Sequence, residues 1–207
     1  IASLYNLLLV QIELKKYNDA LLTIIKLRKI DSKSPTVLTK IFVTSYDTEI
    51  NLYLRTGDFE KGISLVKDIE DGLKKYRDKI NKESEVLFEY NIAYLYFGTD
   101  DYNNSLKWLN KIINDSDLKI REDIQCFARI LNLLVHYELK NYNLIEYIIK
   151  STKRYLSSKN SLNKFESLIL NYIRKLINSK NEEDKNYIFR EWDKEFLSVE
   201  EDYNEIK

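Results

Sequence analysis

Few residues in this chain could do chemistry, and those few are scattered. The 207 residues hold one His and one Cys. His136 has no second imidazole with which to share a metal ion, which favours packing over ligation. Cys126 stands beside Phe127, where a buried thiol behaves as a small hydrophobe and not as a nucleophile. The acidic neighbours Glu122-Asp123 and Glu182-Glu183 fall on expected helices. Adjacent helical residues diverge by about 100°, so neither pair can share a proton as a catalytic dyad does. Four Gly in the whole chain supply no glycine-rich phosphate cradle. No catalytic residue, metal or cofactor is expected, and the chain reads as a non-enzyme.

The elements that would position any binding site are easier to read. Four Gly and one Pro leave little punctuation for hairpins or long loops. Apolar residues recur at three and four positions, which predicts an almost wholly helical protein. Thirty-three basic and thirty-three acidic residues cancel, so global charge gives no footprint for nucleic acid or an anionic membrane. No run of about 18 apolar residues is present to span a bilayer. A lone Cys fits a reducing, cytoplasmic setting. The chain opens on Ile1 and holds no Met, so it is expected to be a domain excised from a longer protein.

A turn phrase recurs four times: Lys16-Tyr17-Asn18-Asp19-Ala20, Asp58-Phe59-Glu60-Lys61-Gly62, Asp101-Tyr102-Asn103-Asn104-Ser105 and Asn141-Tyr142-Asn143-Leu144-Ile145. Its aromatics are 42, 43 and 40 residues apart. Such a period is the signature of stacked helical units. Helices are predicted over 1–14, 18–30, 35–55, 58–78, 83–97, 102–114, 118–139, 142–158, 161–179 and 182–199. Ser34 before Pro35 is a good N-cap and first helical residue. Asp58 and Asp101 are expected caps, and Asn181 with Asp184 resembles a capping arrangement. Leu162, Phe165, Ile169, Tyr172 and Leu176 form a narrow seam.

These units resemble the tetratricopeptide repeat (TPR). The first matches at Leu4, Leu7, Tyr17 and Ala20. The second matches at Tyr53, Gly57-Asp58-Phe59 and Gly62. The third is nearest the pattern, at Ile92-Ala93, Tyr96, Asp100-Asp101-Tyr102 and Ser105. The fourth keeps the Asn141-Tyr142 turn, with Ile145 where a small residue is expected and His136 at an aromatic position. A small residue in the second helix permits close approach to the first, and the turn aromatic seals successive pairs. Leu8 and Leu133 depart from the small residue of the first helix. The period also exceeds the usual 34 by roughly six to nine residues, which longer helices would absorb. The resemblance covers residues 1–150, and the last two helices follow by continuation.

The resemblance implies an all-α, right-handed solenoid of about five antiparallel helix pairs. One domain would cover 1–207, with 182–207 as an acidic capping helix and tail. It also implies a concave face lined by the first helix of each pair. Carried over, the inward positions are Thr44, Asp47, Asn51 and Leu54, then Leu87, Tyr90, Tyr94 and Phe97, then Phe127, Ile130, Leu134 and Tyr137. The groove would run from polar to aromatic. Asp47 and Asn51 would meet backbone or polar groups, while Tyr90, Tyr94 and Tyr137 supply contact area and hydroxyls. The plainer alternative has these side chains packed against one another. Tyr5, Leu9, Thr48, Leu87 and Asn91 do not supply the Lys, Asn and Arg of a carboxylate clamp.

Charge is uneven near the end of the chain. Residues 141–180 carry a balance of +6 and residues 182–207 one of −6. The bland reading is a solvated cap. The sharper one has the acidic helix dock on the basic pair through Trp192 and Phe196. The expected function is a non-catalytic scaffold that binds a protein or peptide, with no nucleic acid bound by this domain and oligomerisation left open. Two alternatives stand beside it. One is the peptide-sensing domain of a transcription regulator whose DNA-binding part lies upstream; the other is a structural self-association module.

Overall fold

Four turns in this chain share one backbone solution. In the computed structural model, which describes residues 2–115, 120–161 and 163–205 (side chains as far as 197), Lys15, Gly57, Asp100 and Lys140 are left-handed. Their φ values are 55°, 72°, 58° and 58°. Each lies two residues before a turn aromatic. The next amide then bonds back five residues: Lys16 to the Gln11 carbonyl at 2.8 Å, Asp58 to Tyr53 at 3.0 Å, Asp101 to Tyr96 at 2.9 Å and Asn141 to His136 at 3.0 Å. This closure satisfies carbonyls that a helix end leaves orphaned. Asn160, with φ of 53°, repeats it through the Ser161 amide and the Leu156 carbonyl at 2.9 Å. The recurring phrase is therefore a recurring helix stop.

The described residues are helical and contain no strand. They fall into two compact units, residues 1–112 and 113–207. The first holds α1 (Ala2–Glu13), α2 (Tyr17–Arg28), α3 (Pro35–Thr56), α4 (Phe59–Ile63), α5 (Val66–Lys75), α6 (Lys82–Gly98) and α7 (Tyr102–Ile113), whose last residue marks the boundary. The second holds α8 (Glu122–Glu138), α9 (Tyr142–Ser158), α10 (Lys164–Ile177) and α11 (Glu182–Glu205).

Helices that follow one another in sequence pack together. In the first unit α1 packs on α2, α2 on α3, α3 on α4 and α6, and α4 on α6. The small residues of the second helices sit at these contacts: Ala20 and Ser105 are fully buried, and Gly62 is buried as well. The Ser105 hydroxyl donates to the Ala93 carbonyl at 2.8 Å, which ties α7 to α6. A Cβ on Gly62 would overlap the Leu95 side chain, and one on Gly98 would meet the Phe59 ring. Phe59 thus seals the second helix pair onto the third. Leu8, Ala20, Ile24 and Leu52 do the same between α1, α2 and α3, with Tyr17 packed alongside.

In the second unit α8 packs on α9 and α10, α9 on α10, and α10 on α11. The core is built from Cys126, Ile130, Leu133, Ile145, Ile149, Leu156, Ile169, Leu170, Ile173 and Leu176. Ile145, at the small-residue position, is fully buried here. The Trp192 ring lies 5.3 Å from that of Tyr172, and the Phe196 ring 5.8 Å from that of Phe165. These contacts seat α11 on α10.

Several local expectations hold. Ser34 accepts from the Val37 amide at 3.5 Å, Asp101 from Asn104 at 3.1 Å, and Asn181 from Asp184 at 2.8 Å. Others need correction. The helix expected over 58–78 is two, α4 and α5, broken at Ser64 and Leu65. Gly62 and Ser64 are weak helix formers, and the Ser64 hydroxyl turns back to the Lys61 carbonyl at 2.6 Å. Asp58 makes no side-chain cap; it accepts from the Thr56 hydroxyl at 3.0 Å and pairs with Lys61 at 3.2 Å. The helix expected from 161 begins at Lys164, behind an Asn163–Glu166 capping box that went unread. Leu162, first residue of the expected seam, lies outside the described residues.

Candidate functional site

α3 positions a row of side chains by its 22-residue length. Thr44, Asp47, Thr48 and Asn51 recur at helical spacing and share one face. The adjoining face, with Ser45 and Glu49, is buried, and buried Leu52 closes the edge between the two. Asn51 donates to the Asp47 carbonyl at 2.7 Å and to its carboxylate at 3.0 Å, which fixes both groups within α3. Between this face and α1 runs a cleft of about 310 Å³, lined by Tyr5, Leu9, Ile12, Thr44, Asp47 and Asn51. A second, of about 450 Å³, runs from α3 to the start of α6 between Thr36, Lys40, Lys79 and Ser84. Val43 and Thr44 line both clefts, so they share a wall.

α6 carries the aromatic part of the first unit. Tyr90 and Tyr94 stand one turn apart with rings stacked, centroids 6.4 Å apart and planes 18° from parallel. Burial, with Tyr94 as the smaller cause, pushes the Tyr90 phenol up to about 12. Tyr94 is 39% exposed and meets the Phe59 ring edge-on at 6.3 Å. Phe97 is partly buried and packs on Tyr102 at 5.7 Å.

In the second unit Phe127 is 46% exposed. Leu134 and Tyr137 are partly buried against the core of that unit, and Tyr137 lies 6.1 Å from Tyr142. Ile130 is a correction: it is 7% exposed and belongs to the core beside Cys126 and Leu133. Its place in the core shared by α8, α9 and α10 leaves it no contact surface.

A polar cluster was missed in the sequence. Arg28, at the end of α2, pairs with Glu49 at 2.6 Å and donates to Ser45 at 3.1 Å. Its guanidinium lies 3.7 Å from the centre of the Tyr46 ring. The Tyr53 hydroxyl donates to Glu49 at 3.1 Å; burial first, and the Glu49 carboxylate second, push its phenol up to about 12. The signal was a carboxylate in the buried stripe of α3, which demands an opposite charge. The cluster joins α2 to α3.

Cys126 is a core residue, and His136 is partly buried. Burial lowers the His136 pKa, and Asn141 Nδ2 lies 3.0 Å from its Nδ1. Burial raises the Cys126 thiol, against an opposing bond from Ser161. Among the described residues no three or more His, Cys, Asp and Glu side chains converge to hold a metal ion. No described helix is long and apolar enough to cross a membrane. No protein-family model, curated protein or solved structure matches this chain.

Proposed function

We propose that this chain is a TPR-like helical-repeat solenoid that binds an extended protein or peptide segment without catalysis. The observation that carries this reading is the cleft between α1 and α3, where apolar Leu9 and Ile12 face Thr44, Asp47, Thr48 and Asn51. Alternating apolar wall and short polar side chains suit a strand-like segment, whose backbone amides need acceptors while its side chains need apolar contact. The exposed Tyr94, stiffened by its stack on Tyr90, adds an aromatic anchor of low entropy cost. The left-handed turns and the small residues Ala20, Gly62 and Ser105 at three of the helix contacts support the repeat reading. A cytoplasmic setting goes with it.

The test is selection of binders from a displayed library of random peptides. Binding to the wild-type chain should weaken at least about tenfold on Thr48→Arg, which fills the cleft, and on Tyr94→Ala, each costing about 1.4 kcal/mol or more. Binders indifferent to both substitutions would place recognition elsewhere.

A further inference from the structure

The first helix pair leaves an apolar face uncovered. On α1, Leu7 and Val10 are 44% and 54% exposed, and Leu14 in the turn after it is 60% exposed; on α2, Leu22 and Ile25 are 57% and 47% exposed. Five large apolar side chains on one helix pair exceed the single scattered residues that surfaces normally show.

The repeat register shows what such positions do elsewhere. Superposing the turn residues Lys15, Gly57 and Asp100 aligns Ser3, Leu7 and Val10 with Ser45, Glu49 and Leu52 of α3, and with Phe88, Ile92 and Leu95 of α6. All six later residues are buried. On α3 the preceding helix covers them: Arg28 of α2 reaches Ser45 and Glu49, and Leu52 packs with Ala20 and Ile24. On α6, Leu95 fills the space beside Gly62 of α4. Val10 is thus the counterpart of Leu52 and Leu95, without the helix that carries the small residue.

The outer helix presents a separate surface. Leu22 and Ile25 align with Ser64 and Lys67 of the second pair, and with Lys107 and Asn110 of the third. All four of these are exposed and polar. These positions stay exposed in the later pairs although another pair precedes each of them, so Leu22 and Ile25 lie outside the surface that a helix stacked on α1 would cover.

We propose that the exposed face of α1 docks an amphipathic partner helix, stacked on α1 as α2 stacks on α3, with a Gly, Ala or Ser facing Val10. The inference uses the repeat register of the functional reading but not its groove. It continues an interface that the chain already makes twice.

The chain contains a probe for this site. Residue 85 aligns with the position just before Ile1, so residues 57–85, fused ahead of the full chain, present a copy of α4 and α5 to α1 in register. Gly62 of the copy then meets Val10. The fused protein should melt at least about 4 °C above the unfused one. Val10→Lys should abolish that gain while leaving the unfused midpoint within about 1 °C, because the residue is exposed there. Equal melting with and without the fusion would overturn the proposal, as would a gain that survives Val10→Lys. Concentration-dependent dimerisation of the unfused chain that Val10→Lys abolishes would give the face to a second copy, and would overturn it too. Groove failure reads separately, as peptide binding indifferent to Thr48→Arg with the melting result unchanged.

Discussion

Leu95 occupies the space that a side chain on Gly62 would need, so α4 can approach α6 only because residue 62 has none. Leu95 is fully buried and cannot swing into solvent. Gly62→Val should therefore cost about 1–3 kcal/mol through overpacking, read as a lower urea midpoint with an unchanged slope. A stability equal to wild type would show that α4 and α6 are not held at this contact.

The left-handed turns carry a different cost. Lys15 and Lys140 adopt a conformation that glycine takes freely, as Gly57 does at the equivalent turn. Lys15→Gly and Lys140→Gly should each stabilise by about 0.5–1 kcal/mol, the relief of strain exceeding the entropy lost. Gly57→Ala should destabilise by about 1 kcal/mol through strain alone, since nothing lies within 4 Å of its Cβ position. Thermal unfolding of the three variants measures this, and a destabilising Lys140→Gly would contradict it.

How far the fold could be read follows from these two features. Turn phrase and small residues are local patterns, and they placed the helix stops and the pair contacts to within a few residues. The break between α4 and α5 was missed because helical spacing runs through Gly62 and Ser64 unchanged; only packing on Leu95 made the weak formers decisive. Face assignment was harder. Asp47 and Asn51 are partly exposed on α3 and Tyr94 is exposed on α6, while Ile130 is buried in the core that α8 shares with α9 and α10. The Arg28–Glu49 pair needed a tertiary neighbour to be seen.

That pair should behave as a buried one on the Glu49 side, whose side chain is 11% exposed against 26% for Arg28. Arg28→Ala should cost about 2 kcal/mol, since it strands a carboxylate. Arg28→Met with Glu49→Leu should recover most of the loss. A double variant no better than the single would show that the cluster does more than pair charges.

His136 makes stability depend on pH. Burial lowers its folded pKa below the unfolded value, so the unfolded chain binds the proton more readily. Its contribution is full above about pH 6.5 and is lost as pH falls through the folded pKa. His136→Gln should flatten the denaturation midpoint across that window, and an unchanged pH profile would exclude His136 as its source.

The seat of α11 can be read from one phenol. Burial first, then Glu195, raise Tyr172 to about 12, and Trp192 lies against its ring. Trp192→Ala should bring the Tyr172 titration, followed by phenolate absorbance, back towards 10. A phenol that stays near 12 would mean that α11 keeps its place without Trp192.

The measurement that tests the binding groove most directly is site-specific photo-crosslinking of a selected peptide. The photoreactive side chain is placed at Thr48 in the cleft or at the exposed Tyr94 of α6, and at Lys67 on the outer surface of α5. The account predicts peptide adducts from Thr48 and Tyr94 and none from Lys67. Adducts from Lys67 with none from Thr48 or Tyr94 would contradict it.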